Sequence, residues 1–217
     1  MSQVSSTLLS GMSHASDPFF RTFQAVRIKG FAKAETIAEV ADLPLSVVNE
    51  HLDGLQQREW AMFRTARQLW QLTPVGREEH RVALAQDVSG GNLHDALAAP
   101  YAAFLAANER FKELCGDWQL RDGEPNDHAD AEYDRSVIDR LVALDHEIAP
   151  VAQQMGSVLH RLVPYGSRLA RTCQRVVEGE TEMFTGVMCG SYHDVWMELH
   201  EDLILTLGMD RVAEGSF

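Results

Sequence analysis

Apolar residues recur at steps of three and four through most of the chain, and the breaks between these stretches divide it into elements. From Glu35 to Leu55 the sequence reads ETIAEVADLPLSVVNEHLDGL, in which Ile37, Ala38, Ala41, Leu43, Val47, Val48, Leu52 and Leu55 can close a small core. Asp42-Leu43-Pro44 interrupts it, because proline cannot continue a helix but suits the beginning of the next. Two short helices around a tight turn are therefore expected. Upstream, Asp17 and Pro18 form a cap and first-turn pair for a helix carrying Phe19, Phe20, Phe23, Val26 and Arg27. Downstream, Trp60 and Met62, then Leu69, Trp70 and Leu72, predict two short strands around a turn near Thr65-Ala66-Arg67. Thr73 and Pro74 then start another helix as cap and first residue.

No strand pattern follows Gly91, and no internal repeat is visible. From Leu93 to Asp117, Leu97, Tyr101, Phe104, Asn108, Phe111 and Cys115 form one stripe. Asn108 sits in its middle, and a buried amide must be hydrogen-bonded by a facing helix or by a ligand. Residues 118–134, WQLRDGEPNDHADAEYD, read as a loop, followed by a helix over Tyr133–Ile148 that buries Val137, Ile138, Leu141 and Val142. Pro150 and Pro164 are expected to punctuate a next helix with Val151, Met155, Val158 and Leu162 on its apolar face. Leu169, Cys173 and Val176 mark another, ended by Gly179. The last runs from Ser191 to Leu207 and stops at Gly208. Its apolar residues cover most of its circumference, which fits a bundle centre or a dimer interface.

Charge divides the chain in the same place as the pattern. Nine Lys and Arg stand against ten Asp and Glu through Val88, but ten stand against 22 from Ser89 onward. Only the first half can approach a polyanion without strong repulsion, and a boundary near Ser89-Gly90-Gly91 is expected. No apolar run approaches the roughly 20 residues that cross a bilayer, so no membrane partner is expected. The Ser-rich N-terminus lacks the basic start and apolar segment of a secretory signal, and residues 1–17 are expected to form a loose arm. Cys115, Cys173 and Cys189 are odd in number and widely spaced, which argues against a disulfide framework or structural zinc and points to the cytoplasm.

Two short helices joined by a tight turn make a helix-turn-helix unit, whose second helix can enter the DNA major groove. With the strand pair and LTPVG that follow, residues 18–88 resemble the winged-helix domain of MarR-like bacterial regulators, a group in which LT-x-x-G after the second wing strand is familiar. The resemblance covers about a third of the chain and implies sequence-specific binding to double-stranded DNA as a homodimer. The block from Trp118 to Asp134 and the last helix resemble C-terminal regions of actinobacterial regulator-like proteins of unknown function. Two departures stand out. Such domains usually carry a glycine after the recognition helix, where this chain has Glu59-Trp60. The outward positions of that helix are Ser46, Asn49, Glu50 and Asp53, without a single cation. Ser46 and Asn49 can read base edges, while Glu50 and Asp53 repel phosphate. Arg58, Arg64 and Arg67, with Lys29 and Lys33, are the cations available for phosphates, and the wing pair Arg64 and Arg67 leads.

His193 and His200 share a helical face two turns apart, too far to chelate one ion unaided. A metal-dependent enzyme would need Asp127, His128, Asp130 or Asp134 to converge on them; otherwise Asp127 and Asp130 are helix caps. No nucleophile elbow, P-loop, dinucleotide fingerprint or HExxH motif is present, and no catalytic residue, metal or cofactor is expected. Polar and aromatic residues near the middle of apolar faces are the candidate lining of a small-molecule pocket: Tyr101, Asn108, Trp118, Tyr133, His193, Trp196 and His200.

The expected fold is therefore mainly α, with a winged helix-turn-helix domain over 18–88 followed by an acidic α-helical bundle over 92–217 that dimerises, senses an effector, or both. The expected function is a dimeric DNA-binding transcriptional regulator. Its rivals are a winged-helix adaptor without DNA binding and the metal-dependent enzyme.

Overall fold

In a computed structural model, which describes residues 13–90 and 92–209, Asp17 accepts the backbone N–H groups of Phe19 and Phe20 and starts α1 (Pro18–Lys29). Next come α2 (Ala34–Ala41) and α3 (Leu45–Gln57). The turn between them is made by Asp42 in the left-handed region (φ 51°), whose N–H donates to Ala38 and Glu39 carbonyls. Arg21 of α1 donates to the Asp42 carbonyl at 2.8 Å and so fixes this turn from below. Pro44 serves as the N-cap of α3. β1 (Ala61–Arg64) and β2 (Leu69–Leu72) pair antiparallel, Ala61 opposite Leu72, and a bridge from Trp70 to Ala32 ties the hairpin to the α1–α2 connection. Trp60 precedes β1 instead of belonging to it, stacked on Phe23 at 5.4 Å. α4 (Pro74–Asp87) is capped by Thr73, which accepts from the Gly76 N–H. Phe23, Ile37, Val48, Leu52, Leu55, Ala61 and Leu72 close a core shared by these elements.

Two of the sequence's local oddities have physical explanations. Glu59, at the position where winged-helix domains usually carry glycine, adopts φ 60° and so takes up the left-handed conformation itself. Gly76 of LTPVG is required by close approach: a Cβ there would lie 1.8 Å from the Trp60 carbonyl oxygen.

The second half consists of α5 (Leu93–Gln119), α6 (Ala131–Val158), a 3-10 turn (His160–Leu162), α7 (Val163–Val177), the single turn α8 (Glu182–Thr185) and α9 (Tyr192–Leu207). Ser191 caps α9 and Gly208 ends it. A separate core gathers Phe104, Phe111, Leu141, Met155, Leu169, Tyr192 and Trp196, among others. Three expectations are corrected. α6 does not stop at Pro150 but runs on to Val158. Pro150 and His146 both lie on its exposed side, so water can reach the carbonyl that loses its N–H donor. Leu162 falls in the 3-10 turn, and Pro164 sits in the first turn of α7. Finally, strands do follow Gly91: Asp122 (φ 52°) and Gly123 (φ 86°) make a hairpin turn between β3 (Leu120–Arg121) and β4 (Glu124–Pro125). These strands are two residues each, too short for an alternation to show.

Of the arm expected over 1–17, residues 1–12 lie outside the described residues, as does Gly91 at the expected boundary. Residues 13–16 are tied down. Ser13 donates to the Gly156 carbonyl, the His14 backbone pairs with Val158 and His160, and Ser16 donates to Asp87. Among the described residues no helix is long and apolar enough to cross a membrane.

Gly76→Ala should lower stability by about 3 kcal/mol in urea unfolding, since the clash is with backbone and cannot be relieved by a rotamer change. Gly116→Ala, with nothing within 4 Å of its Cβ in the last turn of α5, should leave stability unchanged or raise it by up to about 1 kcal/mol. Equal effects of the two substitutions would contradict this reading of the motif.

Candidate functional site

Two surfaces and the junction between them bear on function. The first is the outward side of α3. Val48, Leu52 and Leu55 are buried beneath, so Ser46, Asn49, Glu50 and Asp53 face solvent. Asn49 and Gln56 border an open groove of about 540 Å³ that runs to Lys33, Thr65, Gln68 and Trp70 on the start of α2 and the hairpin. Arg64 and Arg67 are exposed at the hairpin end, where the Arg67 N–H donates to the Arg64 carbonyl. Arg58 is turned back instead: its guanidinium donates to the Gly54 carbonyl at 2.8 Å and lies over the Phe19 and Trp60 rings. Its geometry is that of a helix cap packed on aromatics, not of a side chain reaching outward.

The second surface is a cleft of about 320 Å³ between α5 and α9. Asn108, Phe111 and Cys115 line one wall, and His193, Met197 and His200 line the other. The Asn108 amide is satisfied by the facing helix, since Trp196 Nε1 donates to its Oδ1 at 2.9 Å. His193 Nδ1 is buried with no protein partner among the described residues. Burial pushes the Cys115 thiol up to about 12, so it stays protonated and is a poor nucleophile. Thus Asn108, His193 and His200 come together as expected of a pocket lining, with Trp196 behind them. Tyr101 is buried in the core instead. Trp118 packs against Phe184 and His128, and Tyr133 donates to the Asp117 carbonyl at 2.8 Å.

The residues expected to complete a metal site do not reach this cleft. His128 bonds Asp134 at 3.0 Å, Asp130 caps α6, and Asp127 accepts from the Ala129 N–H, none of them lining the cavity. Among the described residues no group of three or more His, Cys, Asp or Glu is placed to hold a metal ion.

The junction was not expected at all. Beneath α1 and α4, α9 presents Glu198, Glu201 and Asp202 on the side away from the cleft. Arg161 bridges Asp87 of α4 (2.9 Å) and Asp202 of α9 (3.3 Å), all three nearly fully buried. Glu198 accepts from Lys29 of α1 at 2.5 Å and from Arg168 of α7 at 2.6 Å, and Arg27 pairs with Glu201 at 3.0 Å. Gln24 donates to Asp202 at 2.9 Å, which aims its Oε1 at His80 Nε2, 2.6 Å away. Because Oε1 only accepts, His80 must carry its proton on Nε2. The sequence signal for this junction was a run of three carboxylates, Glu198, Glu201 and Asp202, in the middle of a helix whose apolar residues cover most of its circumference.

No protein-family model, curated protein or solved structure matches the chain. The functional reading therefore stands on the geometry alone.

His80 supplies a pH test of the junction. Burial, then the Arg27 and Arg161 charges, push its pKa from the ordinary 6.5 down to about 3. Below 6.5 the unfolded chain binds a proton that the folded chain refuses, so stability drops as the pH is lowered from 6.5 towards 3, by about 1.4 kcal/mol per unit. Between pH 7 and pH 5 the native protein should lose about 2 kcal/mol more than His80→Gln in urea unfolding. Parallel losses would show that His80 is protonated in the folded state.

Proposed function

We propose that the chain is a dimeric DNA-binding transcriptional regulator, in which α1–α4 and the β1–β2 hairpin act as a winged helix-turn-helix and the acidic helical half dimerises and senses an effector. The observation that carries this reading is the exposed polar side of α3 beside an arginine-bearing hairpin. In it, Ser46 and Asn49 contact base edges from the major groove, and Arg64 and Arg67 contact phosphates from the hairpin. Arg58 contributes by stiffening the end of α3 and not by reaching DNA.

Effector action has a physical route. α9 faces the cleft with His193, Met197 and His200 and grips α1 with Glu198, Glu201 and Asp202. A molecule that shifts α9 thereby shifts α1, on which α2 and α3 pack. An effector then selects one spacing of the paired recognition helices.

One observation favours a second reading, a protein-interaction adaptor. Glu50 and Asp53 place two carboxylates on the outward side of α3, and the nearest arginine, Arg58, is folded away. The two readings part on salt. In fluorescence anisotropy against duplex DNA from upstream of the protein's own gene, Arg64→Ala with Arg67→Ala should weaken binding to all sequences about ten-fold or more at low salt. The pair should also flatten the salt slope by about two. Absence of any DNA binding by the native protein at low salt would favour the adaptor.

A further inference from the structure

We infer that Glu50 makes the DNA half-site cytosine-dependent: its carboxylate accepts from a cytosine N4 amino group in the major groove, beside an adenine read by Asn49, and α3 reads no guanine. This rests on the regulator reading above and names the base chemistry that the same surface requires. Three observations carry it. First, α3 is LSVVNEHLDGLQQ, without a lysine or an arginine. The commonest specific contact, Arg or Lys to the O6 and N7 of guanine, is therefore closed to it. The arginine that follows, Arg58, is folded back on the Gly54 carbonyl and two aromatic rings.

Second, Glu50 holds the centre of the outward side. At about 100° per residue it falls almost diametrically opposite the buried stripe of Val48, Leu52 and Leu55, while Ser46 and Asn49 lie to one side of it. A seating of α3 that brings Ser46 and Asn49 to base edges brings Glu50 to the floor of the same groove. Third, nothing in the protein neutralises that carboxylate. Its neighbour His51 is turned to α1 and bonds Thr22 at 2.8 Å, and among the described residues Glu50 has no ion-pair partner.

Base chemistry then leaves one fit. An ionised carboxylate only accepts. In the major groove guanine presents acceptors, thymine an acceptor and a methyl group, and adenine an acceptor N7 beside its amino group. Cytosine alone offers an amino donor with no acceptor of its own. The Asn49 amide, which both donates and accepts, matches the N6 and N7 of adenine. Phosphates and acceptor edges repel Glu50 and Asp53, so discrimination comes from rejecting wrong sequences as well as from the bond to the right one.

Selection of the whole protein on a randomised duplex library, followed by fluorescence anisotropy on the selected duplex, tests this. Native protein should select a C·G pair at one position of each half-site, and reversing or replacing that pair should weaken binding about five-fold or more. Substituting 7-deazaguanine for the guanine of the pair, which removes its N7, should leave binding unchanged. Glu50→Ala should erase the preference for the pair and tighten binding to duplexes that lack it. Glu50→Gln should move the preference to A·T at the same position, because an amide can donate to N7 while accepting from N6. Glu50 is exposed, so neither substitution threatens the fold. A preference unchanged by both substitutions, equal weakening of all sequences by Glu50→Ala, or loss of binding with 7-deazaguanine would overturn the inference and leave the regulator standing. Failure of native protein to bind any duplex would overturn both.

Discussion

A buried guanidinium cannot be left without anions, and Arg161 meets that demand with one carboxylate from each half of the molecule, Asp87 and Asp202. Around it, Lys29, Arg27 and Arg168 face Glu198 and Glu201, so each of these charges has an opposite partner. Such pairs add little net stability once desolvation is counted. Their effect is on orientation. Sliding α9 by one turn against α1 would strand Asp202 or Glu198 away from water and away from its cation. The two apolar cores therefore meet through a junction that tolerates one arrangement, and everything said of α3 and of the cleft depends on that arrangement holding.

This makes α9 the mechanical centre of the chain. Its residues are buried on both sides for different reasons: Trp196, Leu199 and Leu203 by the bundle core, Glu198 and Asp202 by the ionic junction. The remaining side is the wall of the cleft. The helix is long enough, and capped firmly enough by Ser191 and Gly208, to move as a unit. α1 is tied to it through Gln24, Arg27 and Lys29 and holds the α2–α3 turn through Arg21 and Asp42, so a displacement of α9 would be passed to that turn.

Much of this was legible along the chain and some was not, for identifiable reasons. Local signals worked: Asp17-Pro18, Thr73-Pro74, Ser191 and Gly208 mark helix ends because capping is decided within four residues. Pro150 misled, since an exposed proline can sit in a helix where water serves the orphaned carbonyl. Asn108, His193 and His200 could be picked out as polar residues on apolar stripes, and they do share the cleft. Tyr101, Trp118 and Tyr133 could not be told from them, because an aromatic at helical spacing reads the same in a core as in a pocket. The junction was illegible for the opposite reason. Lys29 and Glu198 are 169 residues apart, and no local pattern announces that one charge on α9 answers another on α1.

The central claim is that α3 and the hairpin meet DNA as a pair related by dimer symmetry. Hydroxyl-radical footprinting of the native protein on DNA from upstream of its own gene tests this most directly. Protection should appear as two half-sites about one helical turn, roughly 10 base pairs, apart, and should fade as salt is raised. A single unpaired patch, or no protection at low salt, would contradict it.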